Sequence, residues 1–159
     1  MNEKWLIALL PIVVGLLVII PVIKAEDITV SATVPPYVSV VFNYNSVNFG
    51  NVAPGSTDVP APNQDSGIYN VSVTTNVPLT VSAYRTAWSP SDVLTLKLAT
   101  SMGVPFGLII GTVIDTSTKL ISSIGTGSYT HYHGYWLTVP SCAPAGTYST
   151  TVTITYTPA

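Results

Sequence analysis

The pair of side chains whose types and spacing come closest to metal or acid–base chemistry is His131 and His133, separated by Tyr132. On a strand, residues i and i+2 point to the same side, so two imidazoles at this spacing share one face and can approach one ion. Two ligands do not complete a zinc site, and a third would have to be brought by folding from Asp115, Asp92 or elsewhere. The expectation is therefore no metal, with the histidines serving as structural or aromatic-stacking residues. The sequence has no phosphate-cradling glycine loop, no Gly-x-Ser-x-Gly elbow and no Cys or His clusters at zinc spacing. Serine and threonine are so abundant that none stands out as a nucleophile. A protein that is not an enzyme and carries no cofactor is expected.

Three other features carry chemistry of a different kind. Tyr132 and Trp136 lie beside the histidines and offer rings on which a glycan can stack, although aromatic residues fill the core and rim of a sheet as readily. Asn70-Val71-Ser72 is an N-glycosylation acceptor triplet, with Asn70 on the outward side of its strand. Cys142 is the single cysteine, which excludes an intramolecular disulfide. Its neighbours Pro140, Ala143 and Pro144 suggest a buried small hydrophobe rather than a reactive thiol.

The elements that must position these residues are strands. In the closing stretch, Tyr148, Thr150, Val152, Ile154 and Tyr156 alternate with Ser149, Thr151, Thr153, Thr155 and Thr157. Two-residue periodicity with β-branched residues predicts a strand with one dry side and one hydroxyl side. The same alternation places Tyr129, His131, His133, Tyr135, Leu137 and Val139 on one face of a long strand, and Tyr69, Val71 and Val73 on one face of another. Leu79, Val81 and Ala83 mark a further strand, as do Leu94, Leu96 and Leu98. Shorter strands are expected at residues 46–50, 106–113 and 119–124. Residues 53–67 read as a Pro/Gly/Asp/Ser loop with little to bury. Short strands at intervals of about 8–12 residues, without an amphipathic helix, predict an all-β fold. The expected fold is one Greek-key, Ig-like antiparallel β-sandwich of about 8–9 strands over residues 37–159.

Ahead of the sandwich, residues 5–23 form an almost unbroken apolar run, and Ile23-Lys24-Ala25 resembles a cleavage site. At roughly 19 residues the run exceeds the usual signal-peptide core of about 7–15 and reaches the lower limit for spanning a bilayer. Residues 1–25 are thus a signal peptide, or an uncleaved anchor that would be the chain's one contact with a membrane. Both alternatives place the rest of the chain outside the cell. Residues 27–34 then alternate, with Ile28, Val30, Ala32 and Val34 on one face, before Pro35-Pro36 forms a stiff hinge. This segment is either a detachable strand or an ordinary first strand that pairs within its own sheet.

From Glu26 onward, six acidic side chains stand against three basic ones, a balance of −3. No basic patch exists to follow phosphates, so nucleic acid is excluded as a partner. Hydroxyls take the place of charges on the polar faces. A hydroxyl surface does not titrate, whereas carboxylates lose their charge near pH 4, and such a surface suits an acidic exterior.

Tyr135-Trp136-Leu137-Thr138-Val139-Pro140, followed by Ala145-Gly146-Thr147-Tyr148 and the alternating Thr/Val strand, resembles the end of spore-coat-U-like secreted pilus subunits. Asn48-Phe49-Gly50 is similar to their first core strand and its glycine. Those subunits carry paired cysteines that are absent here. The Thr/Ser-rich, charge-poor and disulfide-free character is closer to the subunits of archaeal surface threads. The resemblance implies a homopolymer built by donor-strand complementation, with Ile28, Val30, Ala32 and Val34 as the donor residues by position. The expected protein is a structural subunit of an extracellular filament at the cell surface, bearing covalent glycans. The alternative is a monomeric or anchored surface domain that binds glycans.

Overall fold

Where small hydroxyls alternate with aliphatic side chains, the chain lays down antiparallel strands and packs their dry faces together. In the computed structural model, which describes residues 29–102 and 111–159, these strands form two sheets facing one another. They are β1 Val38–Phe42, β2 Val59–Pro60, β3 Asn70–Thr75, β4 Leu79–Arg85, β5 Thr95–Met102, β6 Thr112–Ile114, β7 Lys119–Ile124, β8 Gly127–Thr138 and β9 Val152–Pro158. The larger sheet has the order β1-β3-β8-β5-β6, and β2 pairs with β8 beside that path. The smaller sheet has the order β7-β4-β9. The fold is an antiparallel β-sandwich, with Leu79, Val81 and Ala83 of β4 and Leu96 and Leu98 of β5 buried between the sheets.

The long strand β8 is the spine. On one side it pairs with β5 from Thr138 down to His131. On the other side β3 covers it up to Tyr132, and β2 resumes at Trp136. In the gap between β3 and β2, the Tyr135 N–H donates to Gln64 Oε1 at 2.9 Å and the Tyr135 carbonyl accepts from Ala61 N at 2.9 Å. A buried backbone group left unpaired there would cost stability. Residues 53–67 are therefore more than a loop with little to bury. Ala61 and Gln64 are buried, and a short 3₁₀ turn, Gln64–Ser66, aims the amide at β8.

Arg85, at the end of β4, joins the two sheets. Its side chain is buried, with Nε donating to the Ile114 carbonyl (3.1 Å), Nη1 to the Thr86 carbonyl (3.0 Å) and Nη2 to the Leu94 carbonyl (3.4 Å). Nη1 also meets Asp92 at 2.6 Å, and the guanidinium lies 5.8 Å from the Trp88 ring centre. Arg85→Met keeps the aliphatic stem and strips the donors, leaving several interior carbonyls unpaired. We expect a loss of about 2–4 kcal/mol in urea unfolding. A loss under about 1 kcal/mol would show that water replaces the guanidinium without penalty.

Several expectations are corrected by the fold. Residues 46–50 carry no strand: Asn48 Oδ1 accepts from the Gly50 N–H at 2.8 Å, and this local turn, with Gly50 at φ 66°, replaces ladder pairing. The closing strand begins at Val152 rather than at residue 148, and Ser149 makes only an isolated bridge to Ser89. Cys142 is exposed, because the Ala143 N–H to Pro140 carbonyl turn turns it outward. The strand expected at residues 106–113 falls largely on residues that are not described, and β6 begins at Thr112. Residues 1–28, which hold the expected signal and Ile28, also lie outside the described residues. The main compact unit runs Val34–Ala159, three residues ahead of the expected start. In the other unit, residues 29–33 carry no strand and are exposed.

Candidate functional site

The candidate site arises from an imbalance between the sheets: three strands of the smaller one face the larger one. β9 pairs with β4 through Val152↔Arg85 to Pro158↔Leu79, and its other edge has no partner among the described residues. Its inward side chains Val152, Ile154 and Tyr156 are only half-buried. A closing strand in a filled sandwich would bury such residues completely. β1 forms the corresponding edge of the larger sheet.

The two edges behave differently along their length. Toward the end of β9, the sandwich is closed by rings: Phe42 packs on Tyr156 with ring centres 6.1 Å apart and on His133 at 6.0 Å. At the end where β1 finishes and β9 begins, it gapes. A cleft of about 940 Å³ opens there, with residues 44–52 on one bank and residues 143–152 on the other. Its floor is core: Leu94, Leu96, Tyr135, Leu137, Val139 and Trp88. Among the described residues, no backbone hydrogen bond joins residues 44–52 to another segment. The cleft thus has an apolar floor and, at residues 44–52, a bank of backbone with open hydrogen-bonding groups, while on the other bank Ser149 and Thr151 are already bonded to Ser89 and Thr86. This is the chemistry an extended peptide satisfies.

At the closed end of the cleft lies a chain of buried polar groups. His131 Nδ1 and His133 Nε2 both hydrogen-bond the Tyr156 hydroxyl at 2.9 Å. His133 Nδ1 bonds the Tyr44 hydroxyl, which also meets the Tyr135 hydroxyl at 2.6 Å. The alternation of β8 puts both histidines and Tyr135 on the inner face, and register brings Tyr156 across from the other sheet. Burial depresses the pKa of His131 to about 4. Burial, with His131 alongside, depresses that of His133 to about 3. Burial pushes the Tyr44, Tyr135 and Tyr156 hydroxyls well above the ordinary tyrosine range. At neutral pH every group in the chain is therefore uncharged. The hydrogen bonds run in one direction: when Tyr44 donates to His133 Nδ1, His133 Nε2–H donates to Tyr156, and Tyr156 donates to His131.

The residues singled out by sequence separate in space. His131 and His133 share a face as the spacing required, but three of their ring nitrogens are engaged by tyrosine hydroxyls. Among the described residues, no group of three His, Cys, Asp or Glu side chains gathers to hold an ion. Trp136 is 6 % exposed and packs with Ala99 on the outer face of the larger sheet, with Tyr132 partly buried against them. A stacking platform needs an exposed ring face, which Trp136 does not present. Asn70 is half-exposed on the outward side of β3. Its Nδ2 donates to the Gly67 carbonyl at 2.8 Å, and its Oδ1 accepts from Asn43 Nδ2. Val30, at 87 %, and Val34, at 77 %, are among the most exposed aliphatic side chains, and Ala32 is exposed as well.

Sequence reading missed the cleft and the roles of Tyr44, Tyr135, Tyr156 and Gln64. One signal was present for the polar chain. Two histidines and a tyrosine alternating on a dry face require partners, and Tyr156, on the dry face of the closing strand, is a polar tip with the same need.

No known protein family matches the chain, and no curated protein sequence is significantly similar to it.

Proposed function

We propose that the chain is a structural subunit of an extracellular filament, in which residues 28–34 of one copy enter the cleft of the next. The observation that carries this reading is the open, core-floored cleft beside the unpaired edge of β9, in a chain whose own segment at residues 29–34 is unpaired and exposed. That segment alternates Val30, Ala32 and Val34 with Thr29, Ser31 and Thr33. Such a strand would lay aliphatic side chains on the floor while its backbone bonds the bank at residues 44–52.

Chain length favours a second copy as donor. Asn76 holds the start of the sandwich: its Oδ1 accepts from the Tyr37 N–H at 2.6 Å, and its Nδ2 donates to the Pro35 carbonyl at 2.8 Å. The cleft begins at Tyr44, seven residues on, or about 23 Å along an extended strand. A segment folded back along β1 from Pro35 would bring only residue 28 and those before it level with Tyr44. Val30, Ala32 and Val34 would fall short of their own cleft, and a neighbour's cleft has no such limit.

Energetics set the requirement. Burying four side chains of this size contributes roughly 5–10 kcal/mol gross, against an association cost of about 4–15 kcal/mol. Side chains alone are marginal, so the open backbone of residues 44–52 is what makes joining stable. Deleting residues 26–34 is expected to leave a folded sandwich and no filaments by electron microscopy. Unchanged filaments would end the donor-strand reading. The glycan-binding alternative draws no support from Trp136, whose ring is buried.

A further inference from the structure

Tyr44 belongs to two structures at once. It forms the inner end of one bank of the cleft, and its hydroxyl is held by His133 and Tyr135. The remainder of that bank lacks backbone pairing among the described residues, so side-chain anchors decide where it stands. Val47, Phe49 and Val52 rest on the core by apolar contact, which is not directional. The Tyr44 hydroxyl is the directional anchor among these.

We propose that the chain of hydrogen bonds through His131, Tyr156, His133 and Tyr44 is a proton-sensitive latch on the cleft, which holds the bank in place while both imidazoles are neutral and frees Tyr44 when His133 takes up a proton. The inference rests on the reading of the cleft as an acceptor for an extended peptide. Geometry supplies the argument. The groups facing His133 are Tyr44 and the Phe42 ring, His131 from β8 and Tyr156 from β9, with the Tyr69 and Tyr135 rings packed behind Tyr44. None is a carboxylate that could neutralise an imidazolium. Once protonated, His133 donates from both nitrogens. Tyr44 must then turn its own proton toward Tyr135, and the charge stays buried among rings. Withdrawal of Tyr44 from His133 admits water to the charge, and the bank loses its directional anchor. The depressed pKa of His133 fits a proton that is costly while the latch is closed.

A peptide of residues 26–36 of this sequence, labelled and titrated into the full-length chain by fluorescence anisotropy between pH 7.5 and 3.5, tests the latch. Circular dichroism at each pH records the fold. For the wild type, affinity is expected to hold to about pH 5 and to fall below it, approaching about tenfold per pH unit as the pH nears the depressed pKa of His133 and one proton is taken up on release. Tyr44→Phe, which keeps the ring and removes the hydroxyl, is expected to bind more weakly at pH 7.5 and to lose the pH slope. His133→Gln, which keeps a hydrogen-bonding amide and cannot titrate, is expected to bind without a slope. A wild-type affinity independent of pH, or Tyr44→Phe with the wild-type slope, overturns the latch and leaves the cleft reading intact. Absence of binding at every pH overturns the cleft reading and the latch with it.

Discussion

Val30→Asp is expected to abolish filament formation while leaving the unfolding of the single subunit unchanged. Val30 is 87 % exposed in the isolated chain, in a segment without secondary structure. Substitutions at such positions shift stability by no more than about 0.5 kcal/mol. In an occupied cleft the same position would face Leu96, Leu137 and their neighbours. There the change removes a buried aliphatic contribution of about 1.5–3 kcal/mol. It also places a carboxylate where nothing cationic faces the floor, at a further penalty of several kcal/mol. Because the gross gain from the donor side chains, roughly 5–10 kcal/mol, only matches the association cost of about 4–15 kcal/mol, the two losses together leave nothing to hold the joint. Electron microscopy counts the filaments, and a urea titration of the soluble protein checks the subunit. Filaments of wild-type yield from Val30→Asp would place Val30 outside any cleft. Thr33→Asp, three residues further on and on the hydroxyl side, is the control expected to assemble.

The fold was legible where one rule acts alone. Two-residue alternation located β3, β4, β8 and β9 and their dry faces, because each faces the core on one side and water or a neighbouring loop on the other. It failed where pairing rather than pattern decides. Residues 46–50 alternate well enough, with Val47 and Phe49 resting on the core, yet no backbone lies beside them to complete a ladder. The closing stretch alternates from residue 148, but pairing with β4 runs out at Val152↔Arg85. Both failures border the cleft, and for the same reason. A chain patterned for a strand that is not paired there leaves local signals ahead of the tertiary structure. Gln64 and Arg85 were hidden differently. A polar residue in a loop and a cation at a strand end look solvated in sequence, and only the gap in the β8 ladder and the carbonyls between the sheets give them buried work. Cys142 went the other way, since proline-rich surroundings do not distinguish a packed turn from an exposed one.

Acidification from pH 7 to pH 5 is expected to cost the sandwich about 3–4 kcal/mol of stability, through two histidines that the fold keeps neutral. In the unfolded chain both titrate near the ordinary 6.5, whereas in the fold His131 titrates at about 4 and His133 at about 3. Between these values the unfolded state holds more protons, so stability rises with pH and falls as acid is added. The decline begins near pH 6.5 and continues until the folded pKa values are reached. Carboxylates extend it at lower pH. Lys97 holds Asp58 below the usual range, the Trp88 N–H and then Arg85 do so for Asp92, and Ser117 holds Asp115 at about 2. Their stabilisation is present above the ordinary carboxylate range and is lost as pH falls through these depressed values. The interior therefore opposes the surface. Hydroxyl-covered faces keep their solvation in acid, while the polar chain between the sheets becomes a liability there. Urea unfolding at pH 7, 6 and 5 measures the slope, with nearly two protons taken up on global unfolding against one for release of Tyr44 alone. The double variant His131→Gln/His133→Gln is expected to be less stable at pH 7 and nearly flat down to pH 5. A flat wild-type profile over that interval would mean that the imidazoles reach water in the folded state. A subunit whose cleft is occupied should resist the change better, since whatever binds the folded form alone adds to its stability. Assembled material is accordingly expected to unfold at lower pH than free subunits at equal concentration.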